Sequence, residues 1–145
     1  MKPFGHSCKK AFYILNALIP LLLGFGIYTA FRPDAIISKY TYALFGILPL
    51  SISLPYKWLQ TVICGFSCDF LWAYSLTFVV GMIVGYTKRN RITVFLICLL
   101  FEVLIEILQL VGFIHGTFDI IDIIVELLAI FLALVLITKY EEYAK

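Results

Sequence analysis

Residues 92–138 read ITVFLICLLFEVLIEILQLV, then GFIHGT, then FDIIDIIVELLAIFLALVLIT. The outer two runs, Ile92–Val111 and Phe118–Thr138, are apolar almost throughout. Each has the length that an α-helix needs to cross a bilayer, about 20 residues. In hydrocarbon the backbone must satisfy its own hydrogen bonds, which a helix does within one segment. The six residues Gly112–Thr117 are too few for a long crossover. The two runs therefore predict antiparallel neighbouring membrane helices.

Working outward from this pair, Lys88-Arg89-Asn90-Arg91 closes off an earlier apolar run, Asp69–Tyr86. A further run, Phe12–Phe31, carries Pro20, Gly24 and Gly26, which membrane helices tolerate because neighbours satisfy the freed backbone groups. Lys2, Lys9 and Lys10 precede it as they would a signal peptide, but the apolar run from Ala11 to Ala30 exceeds the roughly 7–15 residues of an h-region. It is read as a retained helix. The stretch Arg32–Cys68 is broken by Pro49 and Pro55 and dotted with Tyr40, Tyr42, Tyr56 and Trp58, rings suited to the headgroup layer. One or two short interfacial helices are expected there. The reading is all-α: one domain over residues 1–145, an integral membrane four-helix bundle.

Composition agrees. The 145 residues are 63% hydrophobic and 14% charged, against about 45–50% and 25% in soluble domains. Too few charges remain to cover a water-facing surface, so the lipid bilayer is the main partner. A net charge of +2, with no basic stripe, argues against nucleic acid. Basic residues flanking membrane spans collect on the cytoplasmic side. Placing the N-terminus inside puts Lys2, Lys9, Lys10, Lys88, Arg89, Arg91, Lys139 and Lys145 in the cytoplasm, and Arg32, Lys39 and Lys57 outside. Both termini are expected in the cytoplasm, in the cell membrane.

The acids carry the chemistry. Of nine Asp and Glu residues, six lie in or at the ends of the spans: Asp69, Glu102, Glu106, Asp119, Asp122 and Glu126. No Lys or Arg lies in the apolar part of a span to neutralise them. Acids at membrane depth cost about 2.5–3.5 kcal/mol each on insertion scales, so a group of them needs a reason. Glu102, Glu106 and Gln109 fall at i, i+4 and i+7 on one helix face, and Asp119, Asp122 and Glu126 at i, i+3 and i+7 on another. With Asp69 at the same outer level, they are expected to form one acidic pocket open to the outside.

Plainer roles compete. Asp69 and Asp119 stand where a carboxylate caps a helix N-terminus. Gln109 can bridge helices, and Glu102, Glu106 and Glu126 can act as protonated interhelical glue. His115 reads as a loop residue. A cluster of carboxylates can also hold a divalent cation through oxygen ligands, or share protons for acid–base work. The Glu-x-x-His signature of di-metal bundles is missing. No cofactor motif, catalytic triad or Gly-rich phosphate loop is present. Cys8, Cys64, Cys68 and Cys98 form no CxxC pair, which leaves a thiol oxidoreductase reading through Cys64 and Cys68 thinly supported.

Glu106-Ile107-Leu108-Gln109, then Gly116-Thr117-Phe118-Asp119-Ile120-Ile121-Asp122, resembles the VanZ-like family, whose pattern is Glu-x-x-Gln, a short Gly-containing turn and Phe-Asp-x-x-Asp. Asp69-Phe70-Leu71-Trp72-Ala73-Tyr74 is similar to the entry of that family's preceding helix. The motifs cover about a third of the chain. Gly116 stands where many members carry Arg, and Glu126 where Asn is frequent, so this pocket is more acidic than the pattern. The resemblance implies a small bacterial envelope protein of four spans and no assigned reaction, whose namesake is associated with low-level resistance to the lipoglycopeptide teicoplanin. Two functions are then expected to compete. One is an envelope protein binding an amphiphile, or a cation, without turnover. The other is a membrane-embedded enzyme acting on a lipid or lipid-linked substrate through these carboxylates.

Overall fold

The computed structural model describes residues 6–32, 35–46, 52, 55–114 and 118–143. Four helices are long and apolar enough to cross a membrane: Cys8–Phe31, Trp58–Val84, Arg91–Leu110 and Ile120–Tyr143. The elements run α1 (His6–Phe31), α2 (Ile36–Phe45), α3 (Lys57–Thr61), a π-helical turn (Val62–Phe66), α4 (Ser67–Val84), α5 (Arg91–Leu110) and α6 (Ile120–Tyr143). The described residues contain no strand. The architecture is an all-α four-helix membrane bundle.

The third and fourth spans fall within two residues of their expected starts, and α6 continues past Thr138 to Tyr143. The second differs more. Its helix does not begin at Asp69 but at Lys57, passes through the π turn and continues to Val84. The stretch Lys57–Cys68 is thus the first part of a span and not a surface loop. The aromatic residues at Tyr56 and Trp58 mark the end of this longer helix, and Pro55 precedes it, where a missing N–H costs nothing. Of the expected short helices, α2 is present.

The α4 helix is the hub, packed on α1, α5 and α6, with α5 also against α6. Small residues allow the close approach: Ala17 on α1, Ala73 on α4, and Ala129 and Ala133 on α6 are all buried. A Cβ at Gly24 would stand 2.6 Å from Nε1 of Trp72, so glycine there makes room for the indole. Hydrogen bonds reinforce the α1–α4 seam. Cys68 Sγ donates to the Gly24 carbonyl (3.5 Å), Tyr74 Oη to Asn16 Oδ1 (3.0 Å), and Ser75 Oγ to the Ala17 carbonyl. Such bonds across membrane helices contribute about 0.6 kcal/mol each on average.

One end of the bundle gathers the charged residues of three segments. Lys9 pairs with Glu141 at 2.7 Å, Tyr13 donates to Glu141 at 3.0 Å, and Lys88 pairs with Glu142 at 2.5 Å. The start of α1, the α4–α5 turn and the end of α6 therefore share that end. Arg32, the start of the second span and the α5–α6 connection share the other. At the far end of α5, Gly112 takes a left-handed φ of 73°, and its N–H closes on the Gln109 carbonyl at 2.9 Å. Leu22, Ile83, Leu100 and Leu128 lie on the outside, each more than half exposed, as a lipid-facing surface requires.

Candidate functional site

A cavity of about 400 Å³ opens between α1, α4, α5 and α6 at the end away from the paired lysines. That volume lies within the range of small-molecule sites, about 300–1,000 Å³. Its polar lining is Asp69, Trp72 and Ser75 from α4, Glu102, Glu106 and Gln109 from α5, and Glu126 from α6. Its apolar lining includes Leu21 from α1, Leu76 and Val79 from α4, and Phe101 and Ile105 from α5.

The helical spacing produces this. Glu102 and Glu106 are one turn apart on the buried face of α5, with 9% and 3% of their surface exposed. Glu126, at 6%, is placed opposite by the short connection between α5 and α6. The groups interact electrostatically across the helices. Asp69 feels Asp122, Glu106 and Arg32, and Glu102 feels Asp69 and Glu106. Glu126 feels Glu102, Asp69, Glu106 and Asp122.

Of the seven residues singled out by sequence, five line the cavity and two do not. Asp119 works at the start of α6. Its Oδ1 accepts the Ile121 N–H at 2.9 Å, and its own N–H donates to Glu106 Oε2 at 3.3 Å. It caps a helix and holds that helix to α5, which is the plainer of its two expected roles. Asp122, half-buried one turn further on, is coupled to Asp119, Glu106 and Arg32 at the flank of the cavity. For Asp69 the capping role fails. Its helix starts twelve residues earlier, at Lys57, so no free N-terminus meets it. His115 and Gly116 lie outside the described residues.

Three lining or neighbouring groups were not legible as site residues. Arg32 follows directly on α1, with its guanidinium 5.3 Å from the centre of the Tyr28 ring, and its charge reaches both Asp69 and Asp122. The acids therefore do have a basic neighbour: Arg32, just beyond α1, lies within electrostatic reach of Asp69 and Asp122. The available signal was its position just past the C-terminal end of the first span. Trp72 and Ser75 read only as parts of an apolar helix, and no pattern in the sequence marked them.

Two buried polar atoms have no hydrogen-bond partner among the described residues: Glu126 Oε2 and Trp72 Nε1. Both belong to residues lining this cavity. An unpaired buried polar atom costs about 1–3 kcal/mol. The Ser75 hydroxyl is committed to the Ala17 carbonyl. Among the described residues no three His, Cys, Asp or Glu side chains are grouped so as to hold a metal ion. All four cysteines are free; Cys8 is exposed, and Cys64, Cys68 and Cys98 are buried. No family model, curated protein or solved structure matches the chain.

Proposed function

We propose that the chain is a VanZ-like integral membrane protein of the cell envelope, both termini cytoplasmic, whose intramembrane cavity binds an amphiphilic or lipid-linked ligand from the outer side. The observation that carries this reading is a cavity of about 400 Å³ into which three helices bring Asp69, Glu102, Glu106 and Glu126. Carboxyl groups there accept hydrogen bonds and favour positive charge, so the fitting head is an ammonium or a group rich in N–H donors. Leu21, Leu76, Val79, Phe101 and Ile105 supply the wall for a hydrocarbon portion. Glu126 Oε2 is an acceptor for such a head. The Arg32 charge offsets part of the negative charge of Asp69 and Asp122.

Binding is favoured over turnover because the cavity offers acids but no activated nucleophile. Its one serine hydroxyl already donates to a backbone carbonyl. The outward opening follows from eight basic residues at one end against three at the other. Envelope function, through a link to lipoglycopeptide resistance, rests on the resemblance of residues 106–122 to the VanZ-like pattern. The test is teicoplanin susceptibility in a sensitised host expressing Glu106→Gln or Asp122→Asn, beside the thermal stability of each purified variant. Loss of the phenotype in folded, inserted variants supports a charge-dependent site. Full protection by both isosteric variants leaves a structural polar seam and removes the functional reading.

A further inference from the structure

We infer a second ligand site at the opposite end of the bundle, one that takes an anionic phospholipid of the adjacent leaflet. A groove of about 440 Å³ runs between the start of α5 and the last turns of α6. Arg91, Thr138 and Lys139 line its charged end, and Ile92, Phe131 and Val135 its apolar length. From Phe131 to Lys139 the groove follows two turns of helix, about 12 Å at a rise of about 1.5 Å per residue. It thus offers an apolar track for an acyl chain that ends on two cations. This site does not depend on the acidic cavity.

The pairing of charges at this end singles out the anion. Lys9 and Lys88 are neutralised by Glu141 and Glu142. Arg91 and Lys139 make no ion pair among the described residues, although they share the same crowded end. Both are exposed, on adjacent helices, beside an apolar surface. A phosphodiester with no compensating ammonium satisfies both, the guanidinium binding two oxygens at once and the ammonium acting as a point charge. A zwitterionic lipid offers the same phosphate but carries its own cation there, so charge complementarity favours the anionic headgroup. If the basic end is cytoplasmic, the leaflet concerned is the one that carries anionic lipid in many membranes.

The full chain in detergent micelles doped with equal amounts of phosphatidylglycerol and phosphatidylcholine of identical acyl chains provides the test. Native mass spectrometry counts the lipid retained. Two basic residues near the headgroup are expected to give a preference for phosphatidylglycerol of about tenfold or more at low salt. The double variant Arg91→Gln/Lys139→Gln should bring the two lipids close to parity, and Lys10→Gln/Arg89→Gln should leave the preference intact. Val135→Trp should reduce retention of both lipids by filling the track while keeping the cations. Equal retention of the two lipids by the unsubstituted chain, or a preference that survives the Arg91/Lys139 substitution, overturns the inference.

Discussion

Replacing Glu126 by Leu separates a ligand site from structural glue, because the two accounts predict opposite signs for stability. Glu126 has 6% of its surface exposed, and its Oε2 has no hydrogen-bond partner among the described residues. An unsatisfied buried polar atom costs about 1–3 kcal/mol. Leucine has a similar volume, carries no polar atom and faces a cavity that can receive its methyl groups. Removing the carboxyl is therefore expected to stabilise the folded protein by about 1–3 kcal/mol. In a chain of 145 residues each kcal/mol moves Tm by about 2–4 °C, so a rise of several degrees should be measurable in detergent. Ligand binding, or the phenotype that reports it, should fall sharply in the same variant. If Glu126 instead bonds across the bundle as structural glue, Leu lowers Tm by a comparable amount. A fall in Tm, or an unchanged phenotype at raised Tm, would refute the reasoning.

Two further outcomes are expected. Reporter fusions after Lys145 should report a cytoplasmic C-terminus and fusions within Gly112–Thr117 an external connection; the reverse pattern moves the acidic cavity to the cytoplasm. Gly24→Ala should destabilise by about 1–3 kcal/mol, as overpacking does, because its Cβ meets Trp72 Nε1 at 2.6 Å and Cδ1 at 2.8 Å. Tryptophan emission should shift with it, and an unchanged spectrum at unchanged Tm means that the indole does not pack against α1.

The number of spans was legible in the four apolar runs, and the pairing of the last two in residues 92–138, because hydrocarbon imposes a length and a helical backbone on any apolar run. Helical period then placed Glu102, Glu106 and Glu126 on inward faces, since a face is a local property of i, i+3 and i+4 spacing. What local spacing does not contain is distance between helices far apart in the chain. Arg32 read as a loop cation and Asp69 as a pocket acid or a helix cap, and only the packing of α1 on α4 brings the two into electrostatic reach. The start of the second span was obscured because Lys57, the aromatic residues and Pro55 mark a membrane interface and a helix end alike. Tertiary contact also decided which acid lines the cavity and which holds the helices together. Asp119 and Glu106 lie thirteen residues apart, yet the turn of the chain lets the backbone of one donate to the carboxyl of the other. The solvent dictated the spans from sequence alone; the site depended on which buried faces could reach one another across the bundle.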